Sequence, residues 1–91
     1  MAASYRFVVI GRVQGIGYRI FAQRRAQALD LKGWVRNRPD GAVEGCATGA
    51  EAALQAFRAS LQAGPPGARI DALHSTPGTS APGERGFTIL R

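Results

Sequence analysis

Residues 5–10, Tyr-Arg-Phe-Val-Val-Ile, are β-branched or aromatic almost throughout and end apolar on both faces, which predicts an interior strand. Tyr18, Phe21, Ala22, Ala26 and Leu29 then recur at three- and four-residue spacing, with Gln23, Arg24, Gln27 and Asp30 elsewhere. That pattern predicts a helix over about 19–29, docked on a sheet by one face. Residues 31–37 and 42–48 read as two further strands. Between them Arg38-Pro39-Asp40-Gly41 marks a hairpin turn: proline presets φ, aspartate can bond its own backbone, and glycine tolerates positive φ.

Thr48-Gly49-Ala50-Glu51 has the form of a capping box, and Leu54, Phe57 and Leu61 line one face of the helix expected after it. Gly64 followed by Pro65 ends that helix. Residues 68–75 read as a fourth strand, in which Ile70 and Leu73 are out of phase and call for a bulge. Residues 76–86, with Pro77, Gly78, Pro82 and Gly83, read as a loop, and 87–90 as a short last strand. The order β-α-β-β-α-β plus a terminal strand predicts a ferredoxin-like α+β sandwich, two helices on one face of an antiparallel sheet. In that topology the first and second strands run parallel with the third between them, so their C-terminal ends, near Val13 and Asn37, share one rim.

Ninety-one residues suffice for one modest core, so the whole span 1–91 is expected to be a single domain. No apolar run approaches the ~20 residues of a membrane span, and the first residues lack the apolar region of a secretion signal. A single cysteine, Cys46, excludes an internal disulfide and suits a reducing compartment, so a cytoplasmic location is expected. Cys46 does not open a C-x5-R phosphatase loop and reads as a small, half-buried strand residue. One histidine and one cysteine cannot compose a metal cluster, so neither metal nor cofactor is expected. The net charge of +6, nearly all arginine, predicts attraction to anions. Few aromatics and no RNP1-like run argue against nucleic acid as the partner. No extra apolar stripe asks for a second copy, so a monomer is expected.

The chemistry concentrates in Gly11-Arg12-Val13-Gln14-Gly15-Ile16-Gly17-Tyr18-Arg19, a glycine-rich turn between strand and helix. Glycines at 15 and 17 permit backbone angles that aim several N–H groups at one point, and a helix start favours anions. No Ser, Thr, Asp or Asn stands there to cap the helix, leaving its first N–H groups for a phosphate to satisfy. The loop is neither a Walker loop, lacking Gly-Lys-Ser/Thr, nor a G-x-G-x-x-G fingerprint, since Ile20 holds the last glycine position. The shared rim would unite the N–H donors of Gln14, Gly15, Ile16, Gly17, Tyr18 and Arg19 with the Arg19 guanidinium and the Asn37 carboxamide.

At this point the chain resembles the acylphosphatases. The segment 11–19 is similar to their first signature and Gly33-Trp34-Val35-Arg36-Asn37-Arg38-Pro39-Asp40-Gly41-Ala42-Val43-Glu44 to their second; Gly64-Pro65-Pro66 and Phe87-Thr88-Ile89 also sit where that family places similar residues. The resemblance covers nearly the whole chain. It implies a ferredoxin-like sandwich and metal-free hydrolysis of a small acyl phosphate to a carboxylate and phosphate, with Arg19 binding the phosphate and Asn37 positioning water. Ile16 and Tyr18 replace commoner residues while keeping bulk. Asp30 stands where the helix often ends in glycine and puts a negative charge at a helix C-terminus.

Two other assignments stay open on the sequence alone. The same sandwich could be a binding module that holds a phosphorylated metabolite or nucleic acid without turnover, or a relative of the acylphosphatase-like domain in hydrogenase-maturation proteins, against which the chain's length argues. Outside the loop, His74 reads as a strand-face residue and Trp34 as packing or as a border of the acyl group. Arg24, Arg25, Arg36 and Arg38 read as a solvated basic face.

Overall fold

In the computed structural model, residues 2–78 and 86–90 are described. The elements run β1 (Ala2–Arg12), α1 (Tyr18–Ala28), β2 (Lys32–Asn37), β3 (Val43–Ala50), α2 (Glu51–Ala63), β4 (Arg69–Pro77) and β5 (Phe87–Ile89). Their order along the chain is the expected one, and the five strands form one sheet in the order β4-β1-β3-β2-β5.

The sheet is mixed, which corrects the expectation of a wholly antiparallel one. β3 pairs antiparallel with both β1 and β2, so those two run parallel with β3 between them, as the topology required. β4 pairs antiparallel with β1 at one edge, and β5 then takes the opposite edge, beside β2. Because β5 reverses the direction of β4 but joins the other edge, its pairing with β2 is parallel. Most of the loop expected over 76–86 lies outside the described residues, although Thr76 and Pro77 extend β4.

The bulge is where the phase error demanded one. Ile10 faces Ala72 and Gly11 faces Ile70, so Asp71 has no partner across the ladder, and Ile70 and Leu73 both pack against the core. The capping box does not form. Thr48 stays in β3, paired with Ser4 on one side and Lys32 on the other, and shares a 2.7 Å hydrogen bond with the Ser4 hydroxyl. Two flanking strands hold Thr48 in the ladder, and α2 starts later, from Ala50, with no side-chain cap.

Helices and sheet close on one apolar cluster. Phe7, Val9, Val35 and Val43 face it from the sheet, Ala22 and Ala26 from α1, and Leu54, Phe57 and Leu61 from α2. Phe57 meets Phe7 and Phe87 edge-on, each with ring centroids 5.6 Å apart. Cys46 is a strand residue as expected, though buried and not half-buried, and His74 is exposed on β4 opposite Val8, as expected. No helix among the described residues is long and apolar enough to cross a membrane.

Two contacts fix α1 and hence the loop before it. At its C-terminus Leu31 N–H donates to Ala26 O at 2.9 Å and Asp30 N–H to Gln27 O at 3.1 Å, the paired bonds of a Schellman motif, with Asp30 in the left-handed region at φ 58. At its N-terminus the buried Tyr18 hydroxyl donates to Leu61 O at 2.6 Å. Leu61 lies in the last turn of α2, where carbonyls lack helical partners and where Pro65 has no N–H to offer. Tyr18 therefore closes one helix while opening the other, and burial pushes its phenol well above the ordinary range.

Candidate active site

The C-terminal ends of β1 and β2 lie at one rim. A cleft of about 390 Å³ opens there, lined by Val13, Gly15, Gly17, Tyr18, Arg19, Ile20, Asn37 and Ile89. Arg19 and Asn37 are thus brought to the same cleft as the two loop glycines. The side chains of Gln14 and Ile16 are engaged elsewhere. The Ile16 side chain packs against the core, and the Gln14 carboxamide donates to Arg38 O at 2.8 Å and Ala42 O at 2.9 Å in the β2–β3 turn.

The loop owes its shape to backbone angles. Gly15 and Gly17 sit at φ 77 and φ 80, and a Cβ at either would meet nothing within 4 Å. Glycine is needed there for the left-handed conformation and not for space. Gly17 is the N-cap of α1, its side is bare of any capping group, and no acidic residue stands in the first turn. The first helical bond is Phe21 N–H to Gly17 O at 2.9 Å, so the N–H groups of Tyr18, Arg19 and Ile20 precede any helical acceptor. This is a positive helix end with donors to spare.

Arg19, half-buried in the cleft wall, makes one long contact with Leu90 O at 3.5 Å and no ion pair among the described residues. Most of its N–H fork is unused. Asn37 is held in β2 opposite Val43, and its Oδ1 is enclosed with no hydrogen-bond partner among the described residues. Such an orphan acceptor costs about 1–3 kcal/mol. The turn behind it is rigid: Arg38 N–H bonds Ala42 O at 2.8 Å and Ala42 N–H bonds the Asp40 carboxylate at 3.0 Å.

Other arginines are committed elsewhere. Arg6, Arg36 and Arg38 converge on the buried carboxylate of Glu44, while Arg38 also pairs with Asp40. Arg25 donates to the Ser60 hydroxyl at 3.1 Å. Of the four arginines expected as a solvated face, Arg24 and Arg36 are exposed and Arg25 and Arg38 part-buried, and all but Arg24 have a polar partner among the described residues. The sequence could not show it, because Glu44 meets Arg6 and Arg36 only through strand register. Trp34 does not border the cleft; its ring carries the Arg36 guanidinium at 5.6 Å. A second cavity of about 110 Å³, floored by Phe7, Leu54, Phe57, Leu61 and Leu73, shares no lining residue with the cleft.

Comparison with known proteins agrees with this geometry. Residues 5–89 match the family model described as Acylphosphatase. The chain is 43% identical over 87 residues to the acylphosphatase of Bacillus subtilis (strain 168), covering 96% of each. It superposes on the crystal structure of acylphosphatase from Bacillus subtilis with a TM-score of 0.92 at 42% identity, covering all of both chains. The crystal structure of T. kodakarensis HypF also aligns, with a TM-score of 0.84 at 34% identity, covering all of this chain and 12% of that one. With the match running from β1 to β5 and through both signature segments, the chain belongs to the acylphosphatase family.

Proposed function

We propose that this chain is a one-domain, cytoplasmic and monomeric acylphosphatase that hydrolyses an acyl phosphate to a carboxylate and inorganic phosphate without a metal. The observation that carries the reading is the joint presence, in one cleft, of an uncapped helix start, an arginine without a carboxylate partner among the described residues and an asparagine whose acceptor has no partner among them. The lone thiol, Cys46, suits a reducing compartment, and Ile10 and Ile20 as the only large exposed apolar side chains among the described residues suit a monomer.

The chemistry asks little of the protein. Water oxygen bonds to phosphorus as the bond between phosphorus and the acyl oxygen breaks, and the electron pair of that bond leaves with a carboxylate whose conjugate acid has a pKa of roughly 4. Such a leaving group needs no general acid. Backbone N–H groups of the 14–19 loop and the Arg19 fork hold the phosphoryl oxygens and offset their growing charge. The Asn37 carboxamide aims the water, a half-turn about its last torsion exchanging donor and acceptor ends at little steric cost. An amide is too weak a base to take the water's proton, so a phosphoryl oxygen receives it.

The test is phosphate release from acetyl phosphate in the presence of a chelator, by wild type beside Arg19→Ala. Arg19 is half-buried and braces nothing strongly, so the variant folds and loses about 10³- to 10⁵-fold in turnover, the range for a charge-stabilising arginine in phosphoryl transfer. A variant that keeps most of the activity, or a wild type with none, overturns the reading.

A further inference from the structure

The second cavity, of about 110 Å³, lies between α2 and the strands β1 and β4, the latter at the edge of the sheet. Its interior is apolar. Phe7, Leu54, Phe57 and Leu61 are each at most 5% exposed, and Leu73 of β4 is half-buried beside them. The gap comes from β4, which places Ser75 opposite Phe7, where a larger side chain would close the space.

The rim is polar. Glu51, Gln55 and Arg58 recur at four- and three-residue spacing and form one exposed stripe of α2 along the mouth. Glu51 and Arg58 stand two turns apart, roughly 10 Å along the helix, so each charge governs its own end. At one end the Tyr5 hydroxyl donates to the Glu51 carboxylate, at 3.4 and 3.5 Å. At the other, the Arg58 guanidinium has no hydrogen bond or ion pair among the described residues.

An apolar hollow with an unspent cation on its rim is complementary to a small molecule of the same build, an apolar body joined to an anionic head. A closed apolar cavity of ~150 Å³ takes up one benzene ring. This one is smaller but open at the rim, so a ring enters with its charged substituent left outside. We propose that the cavity is a second ligand site, for small carboxylates with a compact aromatic or branched aliphatic body. The body fills the space among Leu54, Leu61 and Leu73, the carboxylate lies against Arg58, and Glu51 keeps it from the other end. The site shares no lining residue with the cleft and asks for no phosphate.

The test is an NMR titration of the whole chain with benzoate, followed on side-chain methyl signals, in phosphate buffer so that inorganic phosphate meets the start of α1 in its place. Benzoate is expected to shift the methyls of Leu54, Leu61 and Leu73 with a Kd of about 1 mM, the range for so small a ligand, and to leave those of Ile20 and Ile89 in the cleft unmoved. Arg58→Gln, at an exposed helix position, weakens benzoate about three- to tenfold. Benzyl alcohol, uncharged and of similar shape, binds wild type more weakly than benzoate does and is indifferent to that variant. Ser75→Leu fills the mouth and abolishes the leucine shifts, with circular dichroism checking the fold of both variants. Leucine methyls that stay in place up to about 20 mM benzoate overturn the site, as do shifts confined to Ile20 and Ile89. Equal affinity of wild type and Arg58→Gln for benzoate, or tighter binding of benzylammonium than of benzoate, overturns the carboxylate class.

Discussion

Gln14 reaches from the glycine loop to the β2–β3 turn, its Nε2 donating to the Arg38 carbonyl at 2.8 Å and to the Ala42 carbonyl at 2.9 Å. One side chain thereby sets the start of the phosphate loop against the residue that follows Asn37. Gln14→Ala takes one donor from each carbonyl, Ala42 O keeping the Arg38 N–H and Arg38 O the Gly41 N–H, which should cost about 0.5–1.5 kcal/mol in urea denaturation. It also frees the two halves of the site to drift. A displacement near 1 Å can cost up to about a hundredfold in rate, so a drop of roughly tenfold or more in kcat for acetyl phosphate is expected. Wild-type kcat in a destabilised Gln14→Ala protein would restrict the clamp to stability.

Asn37 is the group for which a pH profile discriminates best. If the attacking water gives its proton to the phosphoryl group, no protein group with a pKa near neutrality controls the wild-type rate. Asn37→Asp puts a carboxylate, of ordinary pKa about 3.9, beside a bound anion. Its charge repels the substrate and raises its own pKa, so activity at pH 7 falls and recovers in part as pH is lowered and the introduced carboxyl protonates. A wild-type rate that titrates on a protein group between about pH 6 and 8, measured with saturating substrate, would instead require a base that the cleft does not display.

Much of this was legible from residue order alone. The period of Tyr18, Ala22 and Ala26 marked the buried side of α1, the phase error between Ile70 and Leu73 marked the bulge at Asp71, and the lack of a capping residue marked the uncapped helix start at Gly17. What escaped was whatever depended on neighbours remote in sequence. Thr48 has a good local offer as a cap, but ladder pairing on both sides outbids it. Gln14 reads as one more loop residue until the hairpin supplies two carbonyls for it. The partners of Arg36 and Arg38 and the parallel seating of β5 likewise depend on register across the sheet, which a linear pattern does not encode.

The bond from the Tyr18 hydroxyl to Leu61 gives the fold a signature at high pH. Burial raises the phenol's pKa in the folded chain, whereas an unfolded tyrosine ionises near pH 10. Above about pH 10 the native state thus holds a proton that the unfolded state has lost, and stability falls as pH rises. Below that pH the contribution is complete. Tyr18→Phe should be less stable by about 1–2 kcal/mol at pH 7, because the carbonyl near the end of α2 loses its donor. The variant also lacks the alkaline slope, so the two denaturation curves, measured from pH 7 to 11, should converge as pH rises. Parallel curves across that range would mean that Tyr18 does not report on the alkaline transition.

Asp30 is the one non-glycine residue at positive φ among the described residues, and it sits past the end of α1 where its charge faces the negative pole of the helix. Two penalties meet there. A Cβ in the left-handed region costs about 1 kcal/mol, somewhat less for aspartate, and an anion at a helix C-terminus costs about 0.3–1 kcal/mol. Glycine removes both but gives back about 0.5–1 kcal/mol of unfolded-chain entropy. Asp30→Gly should therefore stabilise by about 0.5 kcal/mol, a rise in Tm of roughly 2–4 °C for a domain of this size. Asp30→Ala separates the causes, since it deletes the charge and keeps the Cβ at φ 58; it should gain nothing or lose stability. If strain is the larger share, the glycine variant's advantage survives in 1 M salt, where a surface charge term is screened over about 3 Å. Loss of the whole advantage in salt would assign it to charge instead.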